Sequence, residues 1–143
     1  MPRSFRLAAV LRARQAQEDV AKGEVMRALL EARSALDRQA ARERSLTERP
    51  IVDGGPAARW VAAASTRVAL AGEVAAAGRL VERAAEVVAQ RTTELTAAAI
   101  RRRSVENLAD RQRSAEQQEE LASDQRALDE VATNRHPTGR TEP

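Results

Sequence analysis

No glycine or proline occurs between Gly78 and Pro137, and the one internal cluster of helix-breaking residues is Pro50-Ile51-Val52-Asp53-Gly54-Gly55-Pro56. Pro50 disfavours helix at Arg49, and the two glycines allow backbone angles that a helix does not use. Pro56 suits the first turn of a new helix, where its missing N–H costs nothing. A single break of this kind, with helix formers on both sides, predicts two long helices. We read helix 1 over about residues 4–48, about 65 Å long, with Ser4 as N-cap. The linker covers about 49–56. Helix 2 covers about 57–134 and exceeds roughly 100 Å. A disordered tail, His136-Pro137-Thr138-Gly139-Arg140 within about 135–143, follows.

Periodicity agrees with helix. Leu7, Leu11, Ala21, Val25, Ala28, Ala32 and Leu36 form a stripe with a spacing of about 3.6 residues, interrupted by Arg14 and Glu18. A spacing of three and four runs through Trp60, Ala64, Arg67, Ala71, Val74, Gly78, Val81, Ala85, Val88, Thr92, Leu95 and Ala99. Beyond Ser104 the apolar set thins to Val105, Leu108, Ala115, Leu121, Leu128 and Val131. Large side chains are scarce: Trp60 and Phe5 are the only aromatics, and there is no Tyr. Such a chain lacks the volume for a compact core but suits a two-helix seam, which buries only a narrow stripe.

The expected fold class is therefore all-α: residues 1–143 form a single domain, a long antiparallel two-helix coiled coil with an overhanging C-terminal helix. With the fold-back centred near Val52, paired residue numbers sum to about 105. Leu7 then lies near Ala98, and about 104–134 overhangs. The overhang suits insertion into another protein, with dimerisation along its stripe as the alternative.

Charge and chemistry narrow the function. The net charge is +3, and the chain has no Cys, which excludes disulfides and thiolate metal sites. The absence of Cys is consistent with a cytoplasmic setting. No apolar run approaches the roughly 20 residues of a membrane span. The stretch Phe5-Arg6-Leu7-Ala8-Ala9-Val10-Leu11 is too short for a signal core and is followed at once by Arg12 and Arg14. His136 is the sole histidine. No Ser and His pair, metal cluster or phosphate loop is present, and Asp53-Gly54-Gly55 is a turn signal. We expect no enzyme, cofactor, metal or small-molecule substrate. A nucleic-acid partner is disfavoured, because the arginines are interleaved with acids and stacking aromatics are missing. The Arg101-Arg102-Arg103 triplet cannot point one way, since successive helical residues are about 100° apart.

Several segments, in order, resemble the FliJ family of flagellar export proteins. They are the opening Phe5-Arg6-Leu7-Ala8-Ala9-Val10-Leu11-Arg12 with Arg14-Gln15 and Gln17-Glu18-Asp19, the pair Arg59-Trp60 after the break, and Glu106-x-Leu108 and Leu128-Asp129-Glu130-Val131-Ala132 near the end. The resemblance covers essentially the whole chain. It implies a cytoplasmic accessory protein of type III export, peripheral at the cell membrane, that supports flagellum assembly, motility and chemotaxis. Its paired termini would enter the hexameric export ATPase as a central stalk, through Phe5, Arg6, Leu7, Arg12, Arg14, Leu121, Leu128 and Val131. Its fold-back end would face the membrane export gate protein, and other export chaperones are further partners. The family's gate-binding pattern, an aromatic followed one turn later by an aliphatic, falls on Thr66 and Leu70. Leu70 fits and Thr66 does not, which directs attention to Trp60 and Val74 as well. Trp60 either packs over the linker or anchors a partner. The alternative reading is a scaffold or chaperone-like coiled coil of another system, such as a virulence-type secretion stalk.

Overall fold

The computed structural model describes residues 3–52 and 54–135. It contains two helices, α1 (Arg3–Thr47) and α2 (Ala57–Arg135), and no strand among the described residues. The helix of α1 begins one residue ahead of Ser4, so Ser4 is helical and is not the cap. At its far end the Glu48 amide donates to the Arg44 carbonyl at 2.8 Å, the last helical bond before Pro50. Gly54 and Gly55 have φ of 82° and 107°, angles that side-chain-bearing residues adopt only at a cost. The Pro56 carbonyl accepts from the Arg59 amide at 2.9 Å, so Pro56 precedes the helix and its carbonyl takes an early bond of α2. Asp53 and residues 136–143, including His136 and the rest of the expected tail, lie outside the described residues.

Burial along each helix repeats every three and four residues. On α1 the covered positions that follow this spacing are Leu7, Leu11, Arg14, Glu18, Ala21, Val25, Ala28, Ala32, Ala35, Gln39 and Leu46, with Glu24 half-buried beside Val25. On α2 the covered positions that follow this spacing are Leu70, Val74, Ala77, Val81, Ala84, Val88, Arg91, Leu95, Ala98, Arg102, Val105, Ala109 and Gln112, with Ala63, Ala64, Thr66, Ala76, Gly78, Ala97, Ala99 and Glu106 half-buried as well. This is a seven-residue repeat, the spacing of a helix–helix seam. It corrects the expected stripes in detail. Leu36 is half exposed and Ala35 takes its place at 3 % exposure. Arg14 and Glu18 belong to the stripe instead of interrupting it, and Glu18 is 7 % exposed. On α2 the expected Ala64, Val74, Gly78, Val81, Val88, Leu95 and Ala99 are half-buried, but Trp60, Arg67, Ala71, Ala85 and Thr92 are exposed, and Leu70, Ala84 and Arg91 are covered beside the last three.

The fold divides into two compact units, one from Ala16–Ala99 and one from Met1–Gln15 with Ile100–Pro143. In the first, Arg42 pairs with Glu73 at 3.1 Å and Gln39 reaches to 4.0 Å of the position a Cβ on Gly78 would take. Arg67 donates to the Arg49 carbonyl at 3.4 Å. The partners' numbers sum to 115, 117 and 116, not to the expected 105. The cause is the linker. Pro50, Ile51 and Val52 do not merely bridge the helix ends but lie along the opening turns of α2, sharing a groove with Trp60, Ala63, Ala64 and Arg67. Thr47 thus comes level with a point about 12 residues into α2.

In the second unit Leu7, Ala8 and Leu11 line a cleft of about 270 Å³ with Ala109, Gln112 and Arg113. Leu7 therefore meets Ala109 and Gln112, not Ala98, which corrects the expected pairing. Val105, Glu106, Ala109 and Gln112 are half-buried, so coverage of α2 continues well past Ser104. From Arg113 through Thr133 every residue is exposed.

Candidate protein-interaction surfaces

Helix propensity and local side-chain pairs hold the exposed end of α2. Side-chain bonds one turn apart run along it: Gln112 to Glu116 at 2.9 Å, Gln125 to Asp129 at 3.3 Å, and Arg113 to Asp110. Leu121, Leu128 and Val131 project from this stretch at 69 %, 65 % and 51 % exposure. A second face of the same stretch is acidic, with Glu116, Glu119, Glu120 and Ser123 gathered around one shallow groove. This stretch thus offers aliphatic side chains on one side and carboxylates on another, a pattern that recognises a partner with both apolar and basic groups.

At the beginning of α1, Arg6 and Arg12 are exposed, Leu7 is half-buried in its cleft and Arg14 is half-buried on the seam. The Phe5 side chain lies outside the described residues. No acidic residue occupies the first turn of α1, so arginines sit near the positive end of the helix dipole. Of the arginine triplet, Arg102 is half-buried and binds Glu106 at 2.8 Å, whereas Arg101 and Arg103 are exposed.

The turn carries a third surface. Trp60 lines the linker groove yet remains 62 % exposed. Ile51 at 78 %, Val61 and Val68 extend the exposed apolar area around the turn. Sequence reasoning missed these three; Ile51 was the readable signal, an aliphatic between prolines and glycines with no helix to bury it. Leu70 and Val74 are half-buried on the seam, and the Thr66 hydroxyl donates to the Ala62 carbonyl at 2.9 Å. The structure thus separates Trp60, which is accessible, from Leu70 and Val74, which are partly covered.

Titration is perturbed at few places. A hydrogen bond from Arg91 holds the Glu94 carboxyl below its ordinary range. Bonds to Glu18 and Asp19 raise the Lys22 ammonium. Both are pairs within one helix, Arg91 with Glu94 at the surface and Lys22 between the exposed Asp19 and the buried Glu18. Among the described residues no group of three or more His, Asp or Glu is placed to hold a metal ion. No helix among them is long and apolar enough to cross a membrane.

The comparison with known families says to which system the chain belongs. The family model described as flagellar FliJ protein matches residues 3–140, nearly the entire chain. The chain belongs to the FliJ family. FliJ-family membership implies a role in flagellar export, as a non-enzymatic component. No curated protein matches the chain, and no solved structure does.

Proposed function

We propose that this FliJ-family chain is the central stalk of the flagellar type III export ATPase and couples that ring to the membrane export gate. The observation that carries the proposal is the family match over residues 3–140, which spans both helices and the turn. In this reading α1 and α2 form an antiparallel two-helix coiled coil, and the far end of α2 extends beyond α1. The all-exposed stretch from Arg113 to Thr133 supports that arrangement, because a helix covered by α1 would show the seam repeat there.

The ring-facing end combines Phe5, Arg6, Leu7, Arg12 and Arg14 with Leu121, Leu128 and Val131. Its two strands differ in charge, with arginines on one and carboxylates on the other. A shaft of that kind meets successive ring subunits with unequal contacts, and unequal contacts are what allow a ligand to bias conformational states. The gate-facing end is the turn, with Trp60 and Ile51 as the accessible anchors and Leu70 and Val74 supporting them from the seam. Operation is at the cytoplasmic face of the membrane, where other export chaperones also dock.

The deciding measurement is the turnover and oligomeric state of the cognate export ATPase with and without the protein. Ring formation and turnover are expected to rise with the full chain and to lose that rise when the chain is cut after Gln112. No change with the full, helical chain overturns the stalk reading and leaves a plain scaffold.

A further inference from the structure

The two sides of the seam in the unit formed by Ala16–Ala99 carry different chemistry. One side is charged: Glu24, Arg27 and Glu31 share a groove with Val87, and Arg38 and Arg42 share one with Glu73. The other side is marked by Gln39. Its amide nitrogen donates to Glu43 at 2.9 Å and lies 4.0 Å from the position a Cβ on Gly78 would take. Leu36 and Leu29 stand one and two heptads before Glu43, and Ala71 and Ala85 stand one heptad either side of Gly78, so all four share this second side.

This second side is apolar and uneven. On α1, Met26, Leu29 and Leu36 are 59 %, 46 % and 50 % exposed and form a ridge, with Arg33 among them. On α2, a spacing of three and four gives Ala71, Ala75, Gly78, Glu82, Ala85 and Ala89, all exposed except the half-buried Gly78. These residues form a trough beside the ridge, and Glu82 is its one charge. A surface with large apolar side chains next to small ones can be complementary to itself.

A twofold axis parallel to the helices lays the ridge of one copy over the trough of a second. Residues that share a level within the chain have numbers that sum to about 116, and this axis keeps those levels between copies. Leu29 then arrives midway between Ala85 and Ala89 of the second copy, and Leu36 midway between Gly78 and Glu82. Arg33 arrives next to Glu82, so the trough's one charge meets its opposite. Arg33 also reaches Asp37 at 3.5 Å, but that pair is well exposed, and a guanidinium has donors enough for two carboxylates. A twofold axis across the helices sets ridge on ridge instead and leaves the troughs facing each other.

The area is sufficient. Residues 22–46 of α1 with the residues level with them on α2 make a face about 37 Å long. Two packed helices make it about 18 Å wide. That is roughly 700 Å² per copy, close to the roughly 800 Å² per partner of a standard interface. We infer that this side of the Ala16–Ala99 unit is a homodimer interface in which two copies lie parallel, with Leu29 and Leu36 of each seated among the small residues of the other's α2. This goes beyond the stalk role, and its test needs no export ATPase.

Sedimentation velocity of the full chain at about 100 μM should show mostly dimer. Ala85→Glu, with helicity unchanged by circular dichroism, should weaken the dimer about thirtyfold. Leu80→Glu, on the charged side beside Arg38 and Arg42, should leave it intact. Arg33→Glu and Glu82→Arg should each weaken it about tenfold and should restore it when combined, a rescue that a mere change in helix stability does not give. The chain has no cysteine, so a mixture of full-length Leu29→Cys and Ala89→Cys single variants can join only between copies. A short thiol crosslinker should link the two variants to each other in preference to linking either to itself. A monomer at that concentration overturns the inference and leaves this side to a different protein. A dimer that Ala85→Glu leaves intact, or in which Leu29→Cys links mainly to itself, overturns it as well.

Discussion

Two stretches of α2 stand on the same heptad positions and have opposite chemistry. Between 74 and 98 those positions hold Val74, Ala77, Val81, Ala84, Val88, Arg91, Leu95 and Ala98, all covered. The same count continued from 116 to 130 gives Glu116, Glu119, Ser123, Arg126 and Glu130, all exposed. Both stretches are helix. Burial therefore does not decide where α2 is helical; it decides only what one face is made of. The first stretch is held by a seam, the second by local propensity and pairs one turn apart.

The largest expected effect breaks the comparison at its centre. Ala35→Asp places a carboxylate in the seam and should cost about 3 kcal/mol in urea unfolding followed by circular dichroism. Ser123→Asp, on an equivalent position of the exposed stretch, should change stability by less than about 0.5 kcal/mol. Equal effects would mean that the exposed stretch is also covered.

The turn and the helix interiors sharpen the same contrast through glycine. Gly54→Ala forces a side chain to a φ of 82° and should destabilise by about 1–2 kcal/mol. Gly23 and Gly72 lie within helices, and a Cβ on either would meet nothing within 4 Å. Gly23→Ala and Gly72→Ala should therefore each raise stability by about 1 kcal/mol, read as a higher urea midpoint. A loss at either site would show that the covered face is wider than the seam.

The smallest effect is electrostatic. Arg91 depresses the Glu94 carboxyl, so its contribution is present above the ordinary carboxylate value of about 4.5 and is lost as pH falls through the lower folded value. Lys22 has the opposite sign: its contribution is present below 10.5 and is lost as pH rises through its raised folded value. Glu94→Gln should flatten the acid limb of a melting-temperature profile slightly, and Lys22→Gln the alkaline limb. A large change at the acid limb would point to burial that the Arg91–Glu94 pair does not have.

Much of the fold was legible because its signals are local. The proline and glycine cluster marked the end of α1 and the start of α2, and the residue order carried the family. The seam was half legible. Val74, Val81, Val88 and Leu95 were found because they are the large members of their stretch. Ala77, Ala84 and Ala98 were missed by one position because alanine lies on every face of this chain and does not point anywhere. Leu36 was chosen over Ala35 for its size, although closely approaching axes favour the smaller residue. The pairing was missed because nothing in Pro50-Ile51-Val52 says that the linker lies along α2. Arg14, Glu18 and Arg91 were read as interruptions or passed over, since a charged side chain on a narrow seam keeps its head group near water while its stem is covered. Of the candidate binding residues, Leu121, Leu128 and Val131 were identifiable as apolar residues on a thinning stripe, whereas Trp60 was read as the first member of the seam spacing and is exposed.

The position of Trp60 has an optical consequence. The chain contains one tryptophan and no tyrosine, so its ultraviolet emission comes from a single indole. That indole rests on the linker with more than half its surface in water, and its colour reports the polarity of one small place. A partner that closes over the turn would shift the emission to the blue, whereas a partner bound only to the exposed stretch from Arg113 to Thr133 would leave it unmoved. The unlabelled molecule can therefore tell an observer whether the turn is covered.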